Sequence, residues 1–288
     1  MLTSASTQVF AVIGHPVGHS LSPAMHSAAI DALGLDAVYV AFDIEPGRIP
    51  AAMDGMRAMG IRGMNVTIPH KAAVMECMDV VEETARLARG VNTVTNDQGH
   101  LVGSSTDGPG FMRSLSEAGV DVAAQSVVIA GSGGGARAIA AALAAEAQQV
   151  TIAARNADAR TELASMVHEL GGRAAATDLT RTSLSEALAR SSILINTTPL
   201  GMWPNVADCI PVRENDLTPN HVVVDIVPNP TNTLLLRRAD SQGAKTVDGL
   251  GMLVHQGAIS LETWTGQPAP VDGMRAAAEA MLAARRGG

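Results

Sequence analysis

Of the 20 basic residues in this 288-residue chain, 18 are arginine and only Lys71 and Lys245 are lysine. Where solvation alone needs a cation the chain uses Arg, so a Lys marks a place where a guanidinium would not serve. Arg keeps its proton near neutral pH, whereas Lys exchanges one when its surroundings tune it. Lys71 closes the run Asn65-Val66-Thr67-Ile68-Pro69-His70-Lys71. Read as a strand at 62–67, that run sets Asn65 and Thr67 on one side, and Lys71 opens the helix after Pro69. The helix dipole opposes a cation there, which favours proton transfer over solvation as its purpose. Asp107, in Ser105-Thr106-Asp107-Gly108, precedes a helical stretch and could be an N-cap, a ligand group at a domain junction, or both. Ser20 and Ser22, in His19-Ser20-Leu21-Ser22-Pro23, carry the same choice. Ser22 can cap the helix that Pro23 begins, and both hydroxyls with that helix N-terminus could hold a carboxylate.

A second chemistry is written in Gly131-Ser132-Gly133-Gly134-Gly135-Ala136. It follows the strand-like SVVIA and opens an Ala-rich helix. That context makes it a dinucleotide-binding turn: glycines admit a pyrophosphate close to the backbone, and the helix N-terminus offers free N–H groups. The next strand leaves as Ala153-Ala154-Arg155-Asn156, with no acid before Asp158. Arg155 suits a 2′-phosphate, so NADP is expected over NAD. No HxH or HExxH spacing occurs and Cys77 and Cys209 form no CxxC, so no metal is expected.

The elements that must position these groups are legible as a rhythm. Strands at 8–14, 37–43 and 62–67 alternate with helices at 22–33 and about 48–59, where Met53, Met56 and Met59 read as core filler. VNTVT and HLVGSS flank Asn96-Asp97-Gln98-Gly99, a β-hairpin with its turn in that tetrad. From 107 the order is strictly βα, with near-continuous Val/Ile strands at 126–130, 149–154, 192–196 and 221–226, as in a parallel sheet buried on both faces. Gly266-Gln267-Pro268 splits a helical tail that begins near 250. The expected architecture is α/β: an N-terminal α/β substrate domain at 1–106, a doubly wound (Rossmann-type) dinucleotide domain at 107–249, and C-terminal helices at 250–288 returning to the first domain.

Composition sets the outer bounds. Hydrophobic residues make up 47% and charged residues 17%, which excludes a disordered chain. The net charge of −8 argues against nucleic acid or an acidic membrane as the main partner. No apolar run reaches 18 residues and the N-terminus lacks a basic signal-peptide flank, so a cytoplasmic protein with a small-molecule substrate is expected, as a monomer or homodimer.

Together these segments resemble the shikimate dehydrogenase family from about residue 9 to residue 275. The motifs are IGHPVGHSLSPAMH, GMNVTIPHK, GVNT, STDG, GSGGGARA, INTTPLGM and DGLGMLVHQGA. The resemblance implies reversible, NADP-dependent reduction of 3-dehydroshikimate to shikimate, on the route to chorismate and the aromatic amino acids. It implies Lys71 and Asp107 as the catalytic pair, and Ser20, Ser22, Asn65, Thr67, Asn92 and Gln256 as substrate contacts. It implies the glycine turn (Gly131, Ser132, Gly133, Gly134, Gly135, Ala136), Arg155, Ile226 and Gly249 as cofactor contacts. The chain departs from the family pattern at Ser27 and Ser105, where Asn is usual, and at Ala154 and Asn156, which flank Arg155 in place of Asn and Thr. Pro228 replaces a Tyr that commonly reaches the substrate carboxylate. The alternatives are a quinate- or analogue-type dehydrogenase using NAD or NADP, and a non-catalytic ligand sensor of the same fold.

Overall fold

The computed structural model describes residues 3–286. It forms two compact units, one of residues up to Gly110 with those from Val254 onward, the other of Phe111–Leu253. In the first unit the order is β1 (Gln8–Gly14), α1 (Ser22–Ala32), β2 (Ala37–Asp43), α2 (Ile49–Met59), β3 (Gly63–Val66), α3 (Lys71–Met75), β4 (Val80–Val81), α4 (Glu83–Ala88), β5 (Thr93–Asp97) and β6 (His100–Ser104). The sheet order is β2-β1-β3-β5-β6-β4. β1 runs parallel to β2 and β3, whereas β5 lies antiparallel between β3 and β6. β4 and α4 have no counterpart in the sequence reading, because two and six residues are too few for a period to register.

Local chemistry explains the boundaries. The hairpin between β5 and β6 turns on Gln98 and Gly99, both at positive φ (52° and 93°), a two-residue turn whose twist matches the sheet. The turn is narrower than the expected tetrad. Asn96 lies inside β5, where its buried amide donates to the carbonyls of Met56 and Ile61. In α1 the expected Ser22 cap is not made: Leu21 is the N-cap residue, and no side chain caps the helix. Ser22 is already helical and buried, so its hydroxyl is directed elsewhere. In α2, Met53 and Met56 are fully buried beside Ile49, Ile61 and Met64, but Met59 is 70% exposed. Each three-residue step falls about 60° short of a full turn, so the third Met rotates out of the core.

The second unit carries β7 (Ser126–Ala130), α6 (Gly134–Leu143), β8 (Gln149–Ala153), α7 (Ala157–Glu169), β9 (Ala174–Thr177), α8 (Arg181–Leu188), β10 (Ile193–Asn196), β11 (Val222–Asp225), α9 (Leu234–Ser241) and β12 (Lys245–Val247). Its six strands are all parallel, ordered β12-β11-β10-β7-β8-β9. Counted from β7 this is 3-2-1-4-5-6, the doubly wound dinucleotide-binding order, with its switch point between β7 and β10. Val127, Ile129, Val150, Ile152, Ile193 and Ile195 are buried on one face, and Val128, Leu194 and Val223 on the other. That two-sided burial is why these strands read as unbroken apolar runs.

Two helices carry the chain across the unit boundary: α5 (Asp107–Glu117) and α10 (Gly249–Thr265). The units therefore change over inside helices, a few residues beyond the breaks read at 106 and 249. α10 continues after Gly266 and Pro268 into α11 (Val271–Arg286), which packs on α1 within the first unit.

Candidate active site

Lys71 is the first residue of α3, and its backbone carbonyl accepts from Val91 N–H. Gly90 packs against it: a Cβ there would lie 3.1 Å from Lys71 Cβ. The ammonium reaches Asp107, with Nζ 2.6 Å from Oδ2. Asp107 is the first residue of α5 and is buried, while Lys71 remains partly open. Asp107 directs its carboxylate to Lys71 and Asn92. Asn92 Nδ2 donates to Asp107 Oδ1 at 2.8 Å, to Thr106 Oγ1 at 3.0 Å and to Gln256 Oε1 at 3.4 Å. Thr106 N–H donates to Asn92 Oδ1 at 2.8 Å, which settles which way the amide faces. Lys71, Asp107, Asn92 and Gln256 thus converge from α3, α5, the residue before β5, and α10, all within the first unit.

Behind this layer lies a buried polar network. Ser260, one turn beyond Gln256 on α10, is fully buried; its hydroxyl lies 2.8 Å from Thr93 Oγ1 and accepts from Asn65 Nδ2 at 2.9 Å. Asn65 Oδ1 accepts from the Tyr39 hydroxyl at 2.7 Å. Ser22 is hydrogen-bonded to the same Tyr39, whose own ionisation burial pushes well upward. Asn65 therefore has both ends of its amide engaged by protein, and Ser22 is tied to it through Tyr39. Ser20 holds the approach to α1, its Oγ accepting from Ser22 N–H. Thr67 lies one residue past β3, its N–H on Ile13 O and its methyl against Gly14. Among the described residues, no hydrogen bond links Ser20 or Thr67 to Lys71. Tyr39, Thr93 and Ser260 were not singled out in the sequence. Only the hydrophilic position in an otherwise apolar stretch of α10 hints at Ser260.

Beside Tyr39, His26 is fully buried and stacks on the phenol ring, centroids 4.2 Å apart and planes 2° apart. Neither ring nitrogen has a partner among the described residues, and burial pushes its pKa down to about 3. It is a neutral core imidazole.

The second unit holds the glycine turn. Gly131 has φ +121°, and a Cβ there would strike Thr197 Oγ1. A Cβ on Gly133 or Gly134 would meet nothing within 4 Å, and one on Gly135 would lie 3.2 Å from Ile226 Cδ1. Gly133 is the N-cap residue of α6 and no side chain caps that helix, so its first N–H groups stay available. Ser132 and Ala136 fall within this turn and the first turn of α6. Gly249 presses on Ile226, where a Cβ would sit 2.5 Å from the carbonyl carbon. Arg155, past the end of β8, is exposed and makes no hydrogen bond or ion pair among the described residues. Arg160, by contrast, is tied to Asp178 at 2.5 Å and to the Ala154 carbonyl. Asn156 caps α7 through Ala159 N–H. An open glycine cradle, an uncapped helix N-terminus and a free guanidinium fit a dinucleotide bearing a 2′-phosphate.

The chain matches two family descriptions: the shikimate dehydrogenase substrate binding domain over residues 12–94 and the shikimate 5'-dehydrogenase C-terminal domain over residues 249–279. It is 45% identical over 276 residues to a shikimate dehydrogenase (NADP(+)) of Methanopyrus kandleri, covering 95% of each chain. The chain belongs to the shikimate dehydrogenase family. Among solved members, a shikimate dehydrogenase in complex with NADP+ superposes with a TM-score of 0.92 at 38% identity, covering 98% of both chains. The fold also extends to a 5-ketofructose reductase of a Gluconobacter strain, with a TM-score of 0.88 at 35% identity over 96% of this chain and all of that one. No helix among the described residues is long and apolar enough to cross a membrane.

Proposed function

We propose that the chain is an NADP-dependent shikimate dehydrogenase, interconverting 3-dehydroshikimate and shikimate in chorismate and aromatic amino-acid biosynthesis. The observation that carries this reading is the 2.6 Å Lys71–Asp107 pair, held by Asn92 beside Gln256. A sensor that only recognised a ring acid would have no need of a partly buried ammonium clamped by a carboxylate. In this reading the first unit takes the ring acid and the second the dinucleotide.

The bound reduced nicotinamide supplies a hydride to the carbonyl carbon. Lys71 then acts on the oxygen that becomes an alkoxide. One of its three N–H bonds is spent on Asp107, leaving the others to stabilise and protonate that oxygen. Asp107 keeps the ammonium in place and accepts from a neighbouring substrate hydroxyl. Asn92 and Gln256 present amide groups to the remaining hydroxyls, with Asn65 steadying them from behind through Ser260 and Thr93. Ser20, Ser22 and Thr67 form the carboxylate end of the site, where hydroxyls and the N-terminus of α1 favour an anion. Gly131 to Ala136, Ile226 and Gly249 receive the dinucleotide, and Arg155 binds its 2′-phosphate.

Pro228 favours a second reading. It offers no donor where the family commonly has Tyr, so an analogue such as quinate, with NADP or NAD, is the competing substrate assignment. An absorbance assay at the nicotinamide band, with shikimate and quinate each against NADP+ and NAD+, decides between them. Turnover of shikimate with NADP+ well above the other three pairs is expected; no turnover with any pair rejects both. The reading places the enzyme in the cytoplasm as a monomer or homodimer, which fractionation and light scattering test.

A further inference from the structure

Asp225, the last residue of β11, is fully buried, and the chemistry above does not use it. Its carboxylate collects three donors from three segments. Oδ1 accepts from Asn196 Nδ2 at 3.0 Å and from Val227 N–H at 3.2 Å, and Oδ2 accepts from the Thr233 hydroxyl at 2.7 Å. Asn196 ends β10 and passes the order on, its Oδ1 accepting from the N–H and hydroxyl of Thr198. Thr233 caps α9 by accepting from Leu236 N–H. Val227 is the second residue of the loop that leaves β11.

These segments also wall the glycine turn. Thr197 faces Gly131, and Ile226 sits between Gly135 and Gly249 with no slack toward the latter. We infer that the ionised Asp225 carboxylate is a positioning group for the dinucleotide site, holding Ile226 and Thr197 against the glycine turn, so that its protonation weakens NADP(H) binding. The inference rests on the cofactor assignment proposed above.

The direction follows from donor counting. An ionised carboxylate accepts only, and all three neighbours donate to it. A proton on Oδ2 turns that atom into a donor toward Thr233 Oγ1, which already accepts from Leu236. The Thr233 hydroxyl hydrogen then loses its acceptor inside an apolar wall. A proton on Oδ1 displaces Asn196 or Val227 in the same way. Either change frees one end of the Ile226 loop. Burial pushes the Asp225 carboxyl up to about 6, so the transition falls at mildly acidic pH. The other titratable and charged groups around it are Cys209, whose thiol burial raises, and Arg238 of α9 beside that thiol. Arg237 turns to the Asn232 carbonyl, and Asp208 is exposed. The raised thiol pKa keeps Cys209 neutral through the acid range in which Asp225 titrates.

The test is the NADPH dissociation constant, read by nucleotide fluorescence from pH 5 to 8, for the wild-type chain and Asp225→Asn. The 2′-phosphate of the ligand titrates in the same range, so the informative quantity is the variant-to-wild-type ratio, from which the ligand's own titration cancels. The expected ratio is about tenfold at pH 8, within the usual range of site-to-site coupling, and falls toward one at pH 5. A ratio constant across the range, whether large or near one, overturns the inference. Should the variant fail to fold, the wild-type protein answers alone. With carbon-13 carboxyl labels, saturating NADP+ must move the Asp225 titration midpoint downward by reciprocity, and an unmoved midpoint overturns the inference. Wild-type protein that binds no NADPH at pH 8 rejects the cofactor assignment itself, a distinct result.

Discussion

A lysine clamped by one carboxylate can give up a different proton without losing its place, which is what the 2.6 Å contact to Asp107 offers Lys71. In the proposed mechanism, removing the side chain takes away the proton donor and leaves the hydroxyl contacts standing. Lys71→Ala is therefore expected to lower kcat by roughly 10²–10⁴, the span typical of a positioned acid–base group, with KM for the ring acid moving far less. Steady-state kinetics check this, and a variant with near-wild-type kcat removes Lys71 from the chemistry. Arg155 makes the complementary case. It is exposed and unengaged while Arg160 is tied to Asp178, which supports the proposed phosphate-binding role of Arg155. Arg155→Ala should weaken NADPH severalfold more than NADH in titration; equal weakening of both ligands argues that it does not read the 2′-phosphate. Lys71 stood out in the sequence because Lys is so rare here, and Arg155 because a strand exit is a defined place. Asp225, Ser260 and Tyr39 did not, since their value lies in partners that only the fold supplies.

At the scale of elements, strict apolar patterning made the second unit readable: β7, β8, β10 and β11 fall within a residue or two of their expected spans. Short pieces escaped, and so did α9 and β12, where eight and three residues carry little periodic signal. Helix α10 shows how packing outruns pattern. Its Trp264 lies over Gly63 of β3, donates from Nε1 to the Val94 carbonyl at 3.1 Å, and stacks on Phe10 with centroids 5.2 Å apart. A Cβ at residue 63 would collide with the indole ring. Gly63→Ala is thus expected to cost about 1–3 kcal/mol through overpacking, and to loosen Gln256 and Ser260 further along the same helix. Urea unfolding measures the first effect and KM for the ring acid the second. Unchanged stability indicates that the indole can slide aside.

For the whole molecule, His26 is a buried contributor to the pH dependence of stability. Burial lowers its pKa from 6.5 to about 3, so the unfolded chain binds a proton that the folded chain refuses between those values. Its contribution to stability is therefore full above pH 6.5 and is lost as pH falls toward 3. The expected loss between pH 7 and pH 5 is roughly 2 kcal/mol. His26→Phe, which keeps an aromatic face for Tyr39, should flatten that part of the profile in urea unfolding at the two pH values. Asp225 acts in the opposite sense: its raised carboxyl pKa makes acidification through about 6 favour the folded state. The comparison of variant with wild type at each pH removes that background. A profile as steep in His26→Phe as in the wild type assigns the acid sensitivity to other groups.

The first unit is assembled from two stretches of chain separated by the whole of the second. On a ribosome, everything needed to close the second unit has been translated once Leu253 has been added. The Lys71–Asp107–Asn92 cluster, in contrast, waits for Gln256 and Ser260. Early domains of most proteins mature while later ones are still being made; here the opening third must idle, partly built, until the closing helices arrive. Its apolar sheet face, the place where Trp264 finally docks, is exposed throughout that interval, and chaperone demand during synthesis should concentrate there.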